Sequence, residues 1–133
     1  MGFRVVHADE HDWAERPPGD GEQLPRRVAD VTTAATLRES RARLWHFPPR
    51  TRGVRHIERA QEEVFVVVAG TLTILLGDPP ERFDLAAESV VSAEPGTAIQ
   101  LRNESDNELV VFAYGAPPVA GQAEYLDDVD LAR

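Results

Sequence analysis

From Ser40 to Pro118 the chain is a succession of short β-rich runs, each cut off by proline, glycine or a polar cluster. That punctuation limits the fold more than any other feature. Arg41-Ala42-Arg43-Leu44-Trp45-His46-Phe47 stops at Pro48-Pro49, because proline has no N–H to give a sheet ladder. Glu63 to Ala69 is dense in β-branched and aromatic residues, the composition of a buried strand, and Gly70 breaks it. Thr71 to Leu76 ends at Gly77-Asp78-Pro79-Pro80, and Glu88 to Ala93 ends at Glu94-Pro95-Gly96. Thr97 to Arg102 alternates, with Ile99 and Leu101 on the face opposite Gln100 and Arg102. After the polar turn Asn103 to Asn107, Glu108 to Tyr114 is the last strong run, and Pro117-Pro118 closes it. Many short strands without a sustained helical period predict an all-β sandwich or barrel.

The flanks are less regular. Phe3-Arg4-Val5-Val6 and Arg27 to Thr32 are candidate short strands, whereas His11 to Gln23, rich in proline, glycine and acids, reads as loop. The acidic tail from Gly121 to Arg133 reads as loop or a short helix. The predicted organisation is an extension over residues 1–35 packing on the barrel, a barrel over 36–118 and a tail over 119–133, all within the one domain that 133 residues suit. The absence of cysteine excludes disulfides, thiolate metal sites and a cysteine nucleophile. A net charge of −9 argues against a nucleic-acid or anionic-membrane partner. The arginines between Arg38 and Arg59 are interspersed with Glu39 and Glu58 and suit a solvated or interface surface. The longest apolar run, Val64 to Ala69, is too short to span a bilayer, and Met1 to Asp12 carries charges where a secretion signal is apolar. The expected location is therefore cytoplasmic.

Two segments carry a family resemblance. In the stretch Pro48 to Gly70, the spacing of Arg50, His56, Glu58, Glu63 and Gly70 resembles the first signature of the cupin superfamily: Gly, five residues, His-x-His, three or four residues, Glu, six residues, Gly. Glu63 and Gly70 match, His56 falls on the first histidine, Glu58 stands at the second, and Arg50 stands at the first glycine. Glu94 to Asn103 resembles the second signature, Pro-x-Gly, two residues, His, three residues, Asn. Gly96 and Asn103 match, Ile99 stands at the histidine, and Pro95 directly precedes Gly96. The resemblance spans roughly Arg41 to Tyr114 and implies a double-stranded β-helix, or jelly-roll, barrel. It also implies a homodimer, to which Met1 to Thr32 is a candidate contributor. Shared fold does not transmit function.

In a strand, residues two apart face the same side, so His56 and Glu58 project together, and Glu63 is placed to converge on them. The resemblance implies a divalent metal in such a position. Here the set offers one imidazole and two carboxylates, which biases it toward harder ions within a candidate range of Mn, Fe, Ni or Zn. The alternative is that these residues form a satisfied polar cluster without metal. His46 shares a face with Leu44 and is a candidate second imidazole if that face is internal; otherwise it is a wall or surface residue. His7 and His11 have no ligand spacing. Trp45, Phe47, Phe65, Phe112 and Tyr114 are candidates for core or cavity lining. Arg43, Arg55, Gln100 and Arg102 suit an anionic ligand if any of them points inward.

Three functions follow. The first is a protein that binds a small-molecule ligand in the barrel cavity near His46, His56, Glu58, Glu63 and Ile99, the last making the cavity more apolar. The second is a metal-dependent oxygenase, isomerase or lyase using His56, Glu58 and Glu63. The third is an accessory or regulatory dimeric subunit.

Overall fold

The computed structural model describes residues 2–17, 24–118 and 123–129. Within them the strands are β1 (Trp13–Arg16), β2 (Arg26–Asp30), β3 (Arg41–Phe47), β4 (Thr51–Arg52), β5 (His56–Glu58), β6 (Glu62–Ala69), β7 (Thr71–Leu76), β8 (Glu81–Ala86), β9 (Val90–Ala93), β10 (Ala98–Asn103), β11 (Leu109–Ala116) and β12 (Ala123–Tyr125). They form two antiparallel sheets. One runs β1-β2-β3-β11-β6-β9; the other runs β12-β5-β10-β7-β8, with β4 also paired to β10. Chain-distant strands lie side by side throughout, as in β3 with β11 and β5 with β10. This is the all-β double-stranded β-helix architecture that the punctuation and motifs predict.

Alternation along each strand makes the core. Phe47, Phe65, Val67, Leu72, Ile74, Ile99, Leu101, Leu109 and Val111 are buried between the sheets. Residues that alternate with them point outward. On the second sheet these include Gln100 and Arg102, which are nevertheless buried. They are covered by the segment after β12: Gln100 Nε2 donates to Asp128 Oδ1 at 2.8 Å and to Gly53 O at 2.9 Å, and Arg102 Nη2 donates to Val129 O at 2.8 Å.

Four local expectations are corrected. Phe3 to Val6 is not a strand; the chain makes a short 3₁₀ turn at Ala8–Glu10. Trp13–Arg16 lies inside the stretch expected as loop, yet it pairs along its length with β2, so the hairpin extends the first sheet; residues 18–23 of that stretch lie outside the described residues. The Arg27 to Thr32 run turns helical at Val31, where the Asp30 carboxylate accepts from Thr33 N at 3.2 Å and diverts the backbone from the ladder. The tail contributes a strand, Ala123–Tyr125, which pairs with His56–Glu58. No helix among the described residues is long and apolar enough to cross a membrane.

The motif glycine Gly70 has φ +84° between β6 and β7, and a Cβ there would lie 2.5 Å from Glu108 O. Both facts demand glycine. Arg50, at the other motif glycine, also has a positive φ of 60°. Its guanidinium donates to Glu104 O and pairs with Asp106, both at 2.7 Å, which holds the left-handed turn without a glycine.

Candidate functional site

A cavity of about 210 Å³ opens between the inner faces of the two sheets. Strand alternation decides what lines it. On β5, His56 and Glu58 face inward together; Glu63 and Phe65 enter from β6, and Arg43, Trp45 and Phe47 from β3. The β1-β2 hairpin supplies Arg16 and Arg26, and β12 supplies Ala123 and Tyr125. The last pair follows from register, since Ala123 lies opposite Glu58 and Tyr125 opposite His56.

His56 is oriented by the backbone. Its Nδ1 lies 3.1 Å from Val54 O, an acceptor only, so Nδ1 carries the proton and Nε2 is directed at Glu63 Oε1, 3.7 Å away. Burial alone pushes the imidazole pKa down. The Glu63 carboxylate, the Val54 carbonyl and the Glu58 charge outweigh it, and the net shift is upward. Glu58 and Glu63 are 7% and 8% exposed, and Glu58 Oε2 and Glu63 Oε1 have no hydrogen-bond partner. Arg43 lies within electrostatic reach of both carboxylates, although burial is the larger influence on its guanidinium and lowers its pKa. Arg26 is 8% exposed, its Nε lacks a partner, and its guanidinium rests 5.1 Å from the Trp45 ring centre and 5.6 Å from that of Phe47. Burial, then the like charge of Arg16, holds its pKa below the ordinary arginine value.

The structure brings His56, Glu58 and Glu63 to one cavity and leaves two expected members out. His46 faces the other side of β3, where it meets Glu108 and packs edge-on against Trp13 with ring centres 4.7 Å apart. Its strand parity places it opposite Trp45, hence outside. Ile99 is paired in register with His56 but is 1% exposed and belongs to the apolar core, not the cavity wall. Of the candidate anion-binding residues only Arg43 points inward; Gln100 and Arg102 lie under the C-terminal segment, and Arg55 hydrogen-bonds Asp127 O and Gly77 O, each at 3.5 Å. Sequence reasoning missed Arg16 and Arg26. Their signal was the alternation Arg26, Val28 on one face of β2, legible only once that run is recognised as paired to a further strand.

A metal does not fit this donor set. Among the described residues no three His, Cys, Asp or Glu side chains are grouped to hold an ion, the expected set of His56, Glu58 and Glu63 included. Two reasons are physical: Ile99 contributes hydrocarbon where the family motif has an imidazole, and Arg43 already brings a fixed cation to the two carboxylates.

Solved structures share the fold. A sugar phosphate isomerase of the cupin superfamily from Silicibacter pomeroyi superposes with TM-score 0.73 at 15% identity, over 84% of this chain and 74% of that one. KdgF from Halomonas sp. gives 0.68 at 21%, over 89% and 96%. A predicted oxalate decarboxylase from Thermotoga maritima gives 0.73 at 15%, over 85% and 98%. At these identities the likeness concerns the fold alone. No curated protein matches the chain. The family profile described as "Cupin domain" matches residues 43–114, from the arginine of β3 that enters the cavity to Tyr114 in the last long strand. With more than half its length inside that match, the chain belongs to the cupin family.

Proposed function

We propose that the protein binds a small organic anion in the barrel cavity and needs no metal to do so. One observation carries this reading: among the described residues, three arginines, Arg16, Arg26 and Arg43, line the same cavity as two carboxylates, Glu58 and Glu63. The fixed positive charge that a metal supplies elsewhere comes here from guanidinium groups, which present donors in a planar fork suited to carboxylate or phosphate. Low-dielectric walls formed by Trp45, Phe47 and Phe65 strengthen that attraction. The test is calorimetric titration of the chain, in the presence of a chelator, with small carboxylates and phosphate monoesters beside their uncharged analogues. Selective binding of the anions, weakened at least tenfold or so by Arg43→Met, supports the reading. Binding that appears only after adding Mn, Fe, Ni or Zn refutes it.

A second reading, catalysis, is favoured by the pairing of His56 Nε2 with Glu63 Oε1. An imidazole with its other nitrogen fixed by Val54 O is placed to move a proton to or from a bound anion. Loss of solvent-proton exchange into the ligand in His56→Gln, with binding retained, separates this reading from simple binding.

A further inference from the structure

The cavity contains three buried polar atoms with no hydrogen bond: Arg26 Nε, Glu58 Oε2 and Glu63 Oε1, the last facing His56 Nε2 only at 3.7 Å. Each belongs to a residue less than a tenth exposed. Arg26 Nε is a donor and requires an acceptor; the two carboxylate oxygens are acceptors and require donors. Leaving all three unmatched in a closed site is costly, so their chemistry describes what completes them.

The unmatched groups lie on different strands: Arg26 on β2 and Glu63 on β6, with β3 and β11 between them in one sheet, and Glu58 on β5 of the other. Both carboxylates act on Arg43, whereas the charge that acts on Arg26 is that of Arg16, of like sign. Among the described residues no carboxylate pairs with Arg26. Trp45, on β3 beside β2, has its ring centre 5.1 Å from the Arg26 guanidinium and 5.8 Å from that of Arg43. The Arg26 side of the cavity is thus, among the described residues, a cation without a carboxylate partner, resting near the Trp45 and Phe47 rings. The other side holds two acceptors whose charge Arg43 already offsets, so it calls for neutral donors.

Building on the anion-binding reading, we propose that the ligand is a short polyhydroxylated anion held in one orientation, its carboxylate or phosphate on Arg26 and Arg16 and its hydroxyls donating to Glu58 and Glu63. The carbon chain between them passes Trp45 and Phe47. A cavity of 210 Å³ is somewhat larger than the roughly 150 Å³ that admits benzene, which sets the ligand at roughly six to twelve non-hydrogen atoms.

Four probes separate the two ends: threonate and glycerol 3-phosphate carry both features, butyrate only the anion, and erythritol only the hydroxyls. Calorimetry on the full chain should give threonate or glycerol 3-phosphate an affinity at least about tenfold above butyrate and erythritol, the value of one charge-assisted contact. The preferred member of the pair tells carboxylate from phosphate. Arg26→Met, which keeps the stem and removes an unpaired cation, should lower the anion's affinity to that of erythritol. Glu63→Gln should lower it toward that of butyrate. Arg16→Met alters an exposed side chain, folds as the parent does, and should weaken only the charged probes. Equal affinity for threonate and erythritol, or an unchanged anion affinity in Arg26→Met and Arg16→Met, overturns the orientation while leaving anion binding to be judged by the other probes. Binding of none of the four probes by the parent chain overturns both proposals.

Discussion

Gln100 is the residue on which the C-terminal segment turns, and replacing it with alanine tests that role. Its side chain is fully buried and makes three hydrogen bonds: Nε2 donates to Gly53 O and Asp128 Oδ1, and Oε1 accepts from Arg102 Nε at 3.0 Å. The three losses differ in kind. Asp128 has a half-exposed side chain, so water replaces its lost donor at a cost of about 0.5 kcal/mol or less. The Arg102 side chain is 7% exposed, and its Nε then lacks an acceptor, which costs about 1.5–3 kcal/mol for a charged group. The buried Gly53 carbonyl loses roughly 1 kcal/mol, and the vacated methylenes about another 1 kcal/mol. The sum is about 4 kcal/mol, a Tm lower by roughly 10–20 °C for a domain of this size. Urea denaturation of Gln100→Ala against the parent measures it. Adding Asp128→Ala should cost little more, because that bond was already exchangeable for water. Amide exchange should quicken first in β12, which leans on this seam and carries Tyr125 beside His56. A loss below about 1 kcal/mol refutes the reasoning, because it would mean that Arg102 finds another acceptor and the seam carries no stability.

The remaining predictions concern the motif residues. The His56 imidazole should titrate above its ordinary value of 6.5 by NMR, and the midpoint should drop in Glu63→Gln. Because the folded pKa is raised, the stabilisation from protonated His56 is complete below 6.5 and disappears as pH rises through the folded value; parent and Glu63→Gln stabilities should converge on the alkaline side. Gly70→Ala should destabilise by more than about 2 kcal/mol in urea, from left-handed strain and the contact with Glu108 O together. A stability equal to the parent's would mean the turn relaxes freely.

The barrel was legible because its strands announce themselves locally. The run from Glu63 to Ala69 is β-branched, and Ile99 and Leu101 alternate with polar neighbours that face the other side, so both runs read as strands before any contact is known. What was not legible depends on partners far along the chain. Trp13–Arg16 has no apolar alternation and takes its strand identity from pairing with β2; Ala123–Tyr125 takes its own from the three-residue edge of β5. His46 shows the same limit. Parity put it on a face with Leu44, but which face was inside hinged on whether Arg43, Trp45 and Phe47 turned inward together. They did, because the aromatics of that set reach the core and cavity while Arg43 lines the cavity within electrostatic reach of Glu58 and Glu63. A charged residue at an inward position ordinarily argues against that face being internal; here the cavity reverses the inference.

The placement of unmatched groups argues that the cavity is a site and not a packing defect. Elsewhere the fold satisfies its buried polar atoms with care. Asn103, the asparagine of the second motif, is 1% exposed; its Nδ2 donates to Phe47 O, Pro48 O and Asn107 O, and its Oδ1 accepts from Ser105 N and Oγ. Thr51 and Thr73 each place a buried hydroxyl on an acceptor at 2.8 Å or less. Of the four buried side-chain atoms without a partner among the described residues, three line the cavity, and the fourth, His11 Nδ1, belongs to the N-terminal segment. Buried polar groups in folded proteins are overwhelmingly paired. A chain that pairs them on the outer face of one sheet and leaves an arginine and two glutamates open on the inner face concentrates its unmet hydrogen bonds where a ligand can meet them. On the proposed reading, Arg26 of β2 and Arg43 of β3 supply the charge that would fix a ligand in this barrel, while Glu58 and Ile99 stand where the family motif has imidazoles.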